Sequence, residues 1–171
     1  NIPAMARNKH KTVEERLVRL REYANATPLN RMEMHDTKIG VICSGICYQY
    51  AREVFGEGAS YLKLGFTYPM PDKLIREFAK KVDNLIVLEE LDPIVEDYVK
   101  SLGIPCTGKD VLPLYLEYSA DIIRRAFGLP TLSVAYKVET EAPVRPASYC
   151  AGCPHRGIYH EVSKYNGKIV A

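Results

Sequence analysis

Short apolar runs alternate with stretches of helical periodicity between residues 38 and 128, and this alternation constrains the fold more than any other feature of the sequence. The apolar runs at residues 39–43, 60–64 and 85–88 have the length of buried strands. A segment whose apolar residues recur every three or four positions follows each of them. Because a parallel strand can return to its sheet only through a crossover, this order predicts an α/β fold of three layers (αβα) with a mainly parallel sheet.

Turn-forming and capping residues mark the ends of the predicted helices. Gly56 closes the helix after the first strand, and Pro71 stands where the next helix would begin. Asp92 and Pro93 offer a side-chain cap and a preset first turn to a third helix. Ser119 is the predicted cap of a last helix that extends to residue 127. A further apolar run at residues 104–106 predicts a fourth strand.

A capping box indicates an additional helix near the start of the chain. Thr12 precedes Glu15 by three positions, so that each side chain can bind a backbone N–H of the other. The apolar stripe of this helix, at spacings of four, three and four, consists of Val13, Leu17, Leu20 and Ala24.

Charge and cysteine content exclude several classes of protein. Lys and Arg total 23 against 21 Asp and Glu, and this near balance is not typical of a nucleic-acid binder. No apolar run reaches the roughly 18 residues of a membrane span, and no secretory signal is visible. Five cysteines do not make a disulfide scaffold, so we expect a reducing cytoplasm. Cys43, Cys47 and Cys106 are expected to pack as small hydrophobes.

The composition divides the chain into four parts. Residues 1–35 form an N-terminal helix and its linker, and residues 36–130 form the α/β domain. Residues 131–149 are a predicted linker with prolines at 143 and 146. Residues 150–171 are too few to bury a core of their own, so we interpret the chain as a fragment of a larger protein.

A C-x-x-C motif at Cys150 and Cys153 is the strongest chemical signal in the sequence. Two thiolates at this spacing can bind one metal centre, either zinc or an iron–sulfur cluster. His155 and His160 lie nearby and make a small zinc protein an alternative, although the spacing is not that of a zinc finger. A redox-active thiol pair is a third interpretation.

Polar residues also follow the predicted strands at the edge where parallel sheets usually bind ligands. They are Glu89, Glu90 and Ser44, and glycines accompany them at positions 45 and 65. The sequence contains neither a G-x-G-x-x-G motif nor a P-loop, which disfavours a nucleotide site. The acidic residues also have an ordinary structural explanation, since they place negative charge at the positive N-terminal end of the next helix. A stand-alone module that binds acyl-CoA or a nucleotide at this edge remains an alternative.

Several motifs together resemble the α subunit of indolepyruvate:ferredoxin oxidoreductase, in the 2-oxoacid:ferredoxin oxidoreductase group. They are G-I-C-Y-Q-Y at 45–50, L-K-L-G-F-T-Y-P at 62–69, V-L-E-E-L-D-P at 87–93, V-R-P at 144–146 and C-A-G-C-P-H-R-G at 150–157. The resemblance covers nearly the whole chain. It implies that residues 36–130 are a transketolase C-terminal-like domain and that residues 150–171 begin a thiamine-diphosphate-binding domain.

The resemblance also implies an activity and its cofactors. Such enzymes oxidatively decarboxylate aryl 2-oxoacids with thiamine diphosphate and Mg²⁺, transfer the acyl group to coenzyme A, and pass electrons through [4Fe-4S] clusters to ferredoxin. Cys150 and Cys153 match a block that supplies two cluster thiolates, with Ala151 where proline is more common. The implied partners are a β subunit, ferredoxin and other domains of the α subunit. We expect the fragment alone to be inactive, with a scaffold role in the enzyme.

Overall fold

The computed structural model describes residues 2–132, 143–144, 146 and 148–165. Two units divide the chain, Asn1–Leu132 and Ser133–Ala171. Most of the predicted linker at residues 131–149 lies outside the described residues. None of the described helices is both long and apolar enough to cross a membrane.

The first unit is built on a four-stranded sheet in the order β1-β3-β2-β4. The central strand β2 pairs in parallel with both β3 and β4, whereas β1 pairs antiparallel with β3. The prediction of a three-layer α/β fold with a mainly parallel sheet is confirmed, and its likeness to a transketolase C-terminal domain stays a prediction. The strands are β1 (Arg31–Glu33), β2 (Ile39–Ser44), β3 (Ser60–Leu64) and β4 (Asn84–Leu88).

Helices cover both faces of this sheet, because successive strand residues point to opposite sides. Val41 and Tyr61 pack with α2 and α5 on one face. Ile42 and Leu62 pack with α3 and α4 on the other. The helices are α1 (Pro3–Ala26), α2 (Cys47–Phe55), α3 (Asp72–Ala79), α4 (Ile94–Ser101), α5 (Ala120–Ala126) and, in the second unit, α6 (His155–Ser163).

The predicted start of the N-terminal helix is wrong. The helix begins at Pro3, nine residues before Thr12, since no helix breaker separates the two positions. The Thr12 hydroxyl instead donates to the Asn8 carbonyl, one turn earlier, at 3.4 Å. The predicted apolar stripe is buried only at its end: Ala24 is buried, Leu17 and Leu20 are half-buried, and Val13 is exposed.

The α3 and α4 helices start after the predicted prolines, but their caps come from elsewhere in the chain. The Asn25 side chain, at the end of α1, accepts hydrogen bonds from the backbone N–H groups of Lys73 (3.0 Å) and Leu74 (3.1 Å). Asp92 does not cap α4, which corrects the prediction. The cap of α4 is Glu89, whose carboxylate reaches across the intervening loop. Ser119 caps α5 as predicted, by accepting from the N–H of Ile122 at 3.3 Å.

Residues 104–106 form no strand, contrary to prediction. Thr107 instead makes an isolated parallel bridge to Ile86, with its N–H donating to the Leu85 carbonyl at 2.9 Å and its carbonyl accepting from Val87 at 2.9 Å. The chain then turns away because Gly108 and Lys109 pack against the buried Glu96 carboxylate. This segment lies beside β4 without extending the sheet.

Candidate functional site

The C-x-x-C motif forms a tight turn that leads directly into α6. The Cys153 N–H donates to the Cys150 carbonyl at 3.1 Å, which closes the turn. Gly152 has a φ of 77°, a left-handed conformation that favours glycine. The Arg156 N–H then donates to the Cys153 carbonyl at 3.1 Å, at the first turn of α6. Both thiols are thereby presented from one short turn at the N-terminus of α6.

The surroundings of the two thiols leave them accessible. Cys150 is exposed and Cys153 is half-buried, and both are free thiols. The Cys153 sulfur lies 3.5 Å from Nδ1 of His155. The rings of Tyr149 and Tyr159 stack with centroids 5.1 Å apart and tie the residue before the motif to α6. Thiols that are accessible on a tight turn have the chemistry of metal ligands.

The donor set fits part of a metal site. Within the described part of the chain, no three His, Cys, Asp or Glu side chains lie close enough together to hold a metal ion. The zinc alternative needs Cys150, Cys153, His155 and His160, all of which are described, and these four are not assembled into such a group. Two thiolates match half of the four ligands that a [4Fe-4S] cluster takes.

The polar residues at the carboxyl edge of the sheet have structural partners within the chain. The Gly65 N–H donates to Oδ1 of Asn30 at 2.9 Å. The Glu90 Oε1 accepts from the N–H of Tyr118 at 2.8 Å. The Glu89 oxygens accept from the N–H groups of Val95 (2.9 Å) and Glu96 (2.8 Å). The prediction that these acids lie at the N-terminus of the next helix is therefore confirmed for Glu89.

A buried polar network lies behind this edge. The Lys109 ammonium donates to the Glu89 carbonyl at 2.6 Å and to the Tyr118 hydroxyl at 2.7 Å. Burial lowers the pKa of Lys109, although the Glu89 charge opposes this shift. Burial raises the pKa of Glu89 and raises that of Tyr118 to about 12. Glu96 is 2% exposed and binds the Lys100 ammonium at 2.6 Å. Every polar group in this network has a partner, so the network stabilises the fold.

The three cysteines of the first unit behave as packed side chains. Burial raises the pKa of Cys43 to about 12 and that of Cys47 to about 11. Cys106 is half-buried, and burial raises its pKa to about 11. A thiol with so high a pKa is protonated at neutral pH and is a poor nucleophile. The expectation that these cysteines have structural roles agrees with their surroundings.

Two adjoining pockets open at the carboxyl edge and share Ser44 and Ile94. One has a volume of about 440 Å³ and is walled by α1, α4 and the loop after β3. The other has a volume of about 410 Å³ and is lined by Glu89, Glu90 and Asp92. Three acidic residues disfavour the phosphates of a nucleotide or of acyl-CoA in the second pocket.

The sequence left a ligand site at this edge only as an alternative, and it gave no indication of several residues that line the larger pocket. Arg21 and Leu17 come from α1, and Tyr98 comes from α4. Nothing in the local sequence signals that α1 reaches the sheet edge, because its position depends on the contacts of Asn25 and Glu22 with α3. The apolar stripe of α1 is the one local indication that this helix packs against the rest of the unit, because such a stripe is buried against another element.

The chain is similar over nearly its whole length to proteins named indolepyruvate oxidoreductase subunit IorA. It is 38% identical to the protein of Methanothermobacter thermautotrophicus over 95% of the chain, and 33% identical to that of Thermococcus kodakarensis over 98%. The protein of Pyrococcus abyssi is 32% identical over 96%. The resemblance drawn from the motifs is thereby confirmed.

The chain spans about 29% of the length of these curated relatives. This share is consistent with its interpretation as a fragment. No family model matches the chain.

Proposed function

We propose that this chain is part of an indolepyruvate oxidoreductase subunit that oxidises aryl 2-oxoacids. The observation that carries the proposal is the similarity of 28–38% identity to six proteins of that name, over at least 95% of the chain. The reaction cleaves the bond between the carboxylate and the keto carbon, releases CO₂ and one proton, and joins the acyl group to the sulfur of coenzyme A. Two electrons pass one at a time to ferredoxin.

Within that enzyme, the first unit would act as a scaffold and the C-x-x-C turn as part of an electron-transfer centre. Cys150 and Cys153 would supply two of the four thiolates of a [4Fe-4S] cluster. When bound, thiamine diphosphate with Mg²⁺ supplies carbanion stabilisation, and clusters supply single-electron transfer. Support for the cysteine assignment comes from the exposure of Cys150 and from the turn that presents both thiols together.

The scaffold role is supported by the chemistry of the first unit. Its buried acids and ammonium groups are paired with one another or with backbone groups, as in the contacts of Glu89, Glu96 and Lys109. Its buried thiols Cys43 and Cys47 have raised pKa values. Such groups hold a fold together and are poorly suited to proton transfer or nucleophilic attack. The remaining ligands and cofactor-binding residues would come from other domains and from a β subunit, in a reducing cytoplasm.

The proposal is tested with the intact protein that contains this chain, purified anaerobically with its partner subunit. Indolepyruvate and coenzyme A should reduce ferredoxin and yield the acyl-CoA, whereas pyruvate and 2-oxoglutarate should be poor substrates. Cys150→Ser should abolish ferredoxin reduction, and the matched variant Cys106→Ser should retain it. A complex with full cofactor content that oxidises no aryl 2-oxoacid would contradict the proposal.

A further inference from the structure

Four large apolar side chains are exposed on two loops beside the carboxyl edge of the sheet. Leu91, on the loop after β4, is 58% exposed. Leu114, Tyr115 and Leu116, on the loop before α5, are 56%, 68% and 71% exposed. We call these four residues the loop patch. Single exposed apolar residues are ordinary, whereas a group of large ones on neighbouring loops is typical of an interaction surface.

Hydrogen bonds hold the two loops against each other. The Tyr118 N–H donates to Oε1 of Glu90 at 2.8 Å, and Leu91 follows Glu90 directly. The Tyr118 hydroxyl donates to the Pro113 carbonyl at 2.6 Å and accepts from the Lys109 ammonium at 2.7 Å. Both ends of the loop at residues 113–118 are therefore fixed, so a backbone that is tied to the rest of the unit presents the loop patch.

The backbone of the loop patch is strained at two leucines. Leu91 has a φ of 57° and Leu116 a φ of 69°, and within the ranges that the structure describes no other residue apart from glycine has a positive φ. This conformation is unfavourable for a bulky side chain, and such strain clusters where a binding function requires it. Both strained residues expose their side chains, which favours a role in contact with a partner.

Uncompensated negative charge borders the loop patch. Asp92 follows Leu91 and Glu117 follows Leu116, and both acids are exposed. Among the ion pairs in the described part of the chain, none includes either carboxylate. An apolar surface with an acidic margin is complementary to an apolar surface that is bordered by Lys or Arg, because opposite charges at the rim fix the orientation of two partners.

We propose that the loop patch is covered by another domain of the same subunit, whose contact surface is apolar and carries a basic residue opposite Glu117 or Asp92. The chain spans about 29% of the length of its curated relatives, so most of each relative lies outside the matched region. The inference rests on the proposed function in one respect only, namely that the chain is part of a longer subunit.

The small size of the loop patch favours a tethered domain over a separate protein. A stable interface between separate proteins takes roughly 20–30 residues from each side, far more than the loop patch offers. A covalent tether raises the effective concentration of a second domain to about the millimolar range, so that a small contact suffices to hold it. A second copy of the chain or a separate subunit would need a much larger surface.

The inference is tested by photo-cross-linking of the intact protein that contains this chain, assembled with its partner subunit. Benzoylphenylalanine in place of Tyr115 should cross-link, on irradiation, to the same polypeptide outside residues 1–132. The product should keep the mass of one subunit on a denaturing gel, and mass spectrometry identifies the captured segment. The same probe in place of Lys80, which is exposed at the end of α3, is the control for chance capture and should not label that segment.

Variants of the cross-linking protein separate the apolar contact from the charge. Leu116→Gly favours the observed left-handed backbone and removes the side chain, so it should lower the cross-link yield about tenfold without impairing folding. Leu116→Met keeps an apolar side chain of similar size and is the matched control, with the yield nearly unchanged. Glu117→Lys reverses the charge at the margin and should lower the yield about threefold.

Several results would overturn the inference. They are cross-links only to a second copy, to the partner subunit or to the first unit itself, a yield at Tyr115 no higher than at Lys80, and an unchanged yield in Leu116→Gly. Cross-linking requires no turnover. A protein that cross-links as expected but oxidises no aryl 2-oxoacid would therefore contradict the proposed function alone.

Discussion

The Glu89 carboxylate accepts a hydrogen bond from the Val95 N–H at 2.9 Å and so caps α4, the helix for which the sequence predicts Asp92 as the cap. Its second oxygen binds the N–H of Glu96 at 2.8 Å. Between the cap and the helix, Leu91 has a φ of 57°, which is uncommon for a residue other than glycine. The loop from the end of β4 to the start of α4 is thus fixed by a side chain at its beginning.

Removing the Glu89 cap should destabilise α4. Glu89→Ala leaves two backbone N–H groups near the core without a partner, and we expect a loss of about 2 kcal/mol of unfolding free energy. Hydrogen–deuterium exchange of the peptide that covers α4 should become faster. The control is Asp92→Ala, at the position predicted to be the cap, which should change stability by less than about 0.5 kcal/mol. Equal effects of the two variants would contradict the assignment of the cap.

The raised pKa of Glu89 predicts a pH dependence with a definite sign. Burial favours the neutral carboxyl, so the folded protein binds this proton more tightly than the unfolded chain does. The stability that Glu89 contributes is present below the ordinary pKa of 4.5 and is lost as the pH rises through the raised value. As the pH rises from 4.5, the urea midpoint of the native protein should therefore fall relative to that of Glu89→Gln. An opposite trend would show that hydrogen bonding outweighs burial.

Gly65 should tolerate no side chain. A Cβ at this position would lie 2.5 Å from the Leu29 carbonyl oxygen and 3.2 Å from its carbon, both of which are backbone atoms. We expect Gly65→Ala to cost about 2 kcal/mol or more in unfolding free energy. Gly58→Ala is the matched control, since its Cβ would meet open space. If thermal unfolding gives the same melting temperature for both variants, the close approach of Leu29 is wrong.

Helices and central strands could be predicted from the sequence because their signals are local. The strand at 60–64 has the predicted bounds, and the caps at Gly56 and Ser119 lie where their residue types indicate. β1 was missed because it is a three-residue edge strand without an apolar run. The caps of α3 and α4 were assigned wrongly or missed because Asn25 and Glu89 reach them only through the tertiary fold.

The candidate sites also differ in whether they depend on local sequence or on the tertiary fold. The C-x-x-C turn at 150–153 is a local motif, and its geometry follows from Gly152 and the short spacing. The pocket around Arg21 depends on how α1 packs against α3, and no spacing in the sequence encodes that contact. Glycine and polar residues follow the strand ends as the sequence indicated, and their observed contacts are with the protein itself.

Thiol labelling should separate the two classes of cysteine. In intact, reduced protein freed of metal by a chelator, iodoacetamide at pH 7.5 should modify Cys150 first, because it is exposed. Cys43 and Cys47 should remain unmodified until the protein unfolds, since they are 2% and 4% exposed and their pKa values lie at about 12 and 11. Mass spectrometry of the peptides measures each position. Modification of Cys43 at the rate of Cys150 would contradict the burial of the first unit.

The iron content of the intact enzyme after substitution of Cys150 or Cys153 tests the central claim most directly. In anaerobically purified complex, Cys150→Ser and Cys153→Ser should each lower iron and acid-labile sulfide by about four atoms per subunit, since two ligands of one [4Fe-4S] cluster lie on this turn. Cys106→Ser should keep the full content and shows that the loss is specific. Unchanged iron in both turn variants, with the subunits still assembled, would contradict the account.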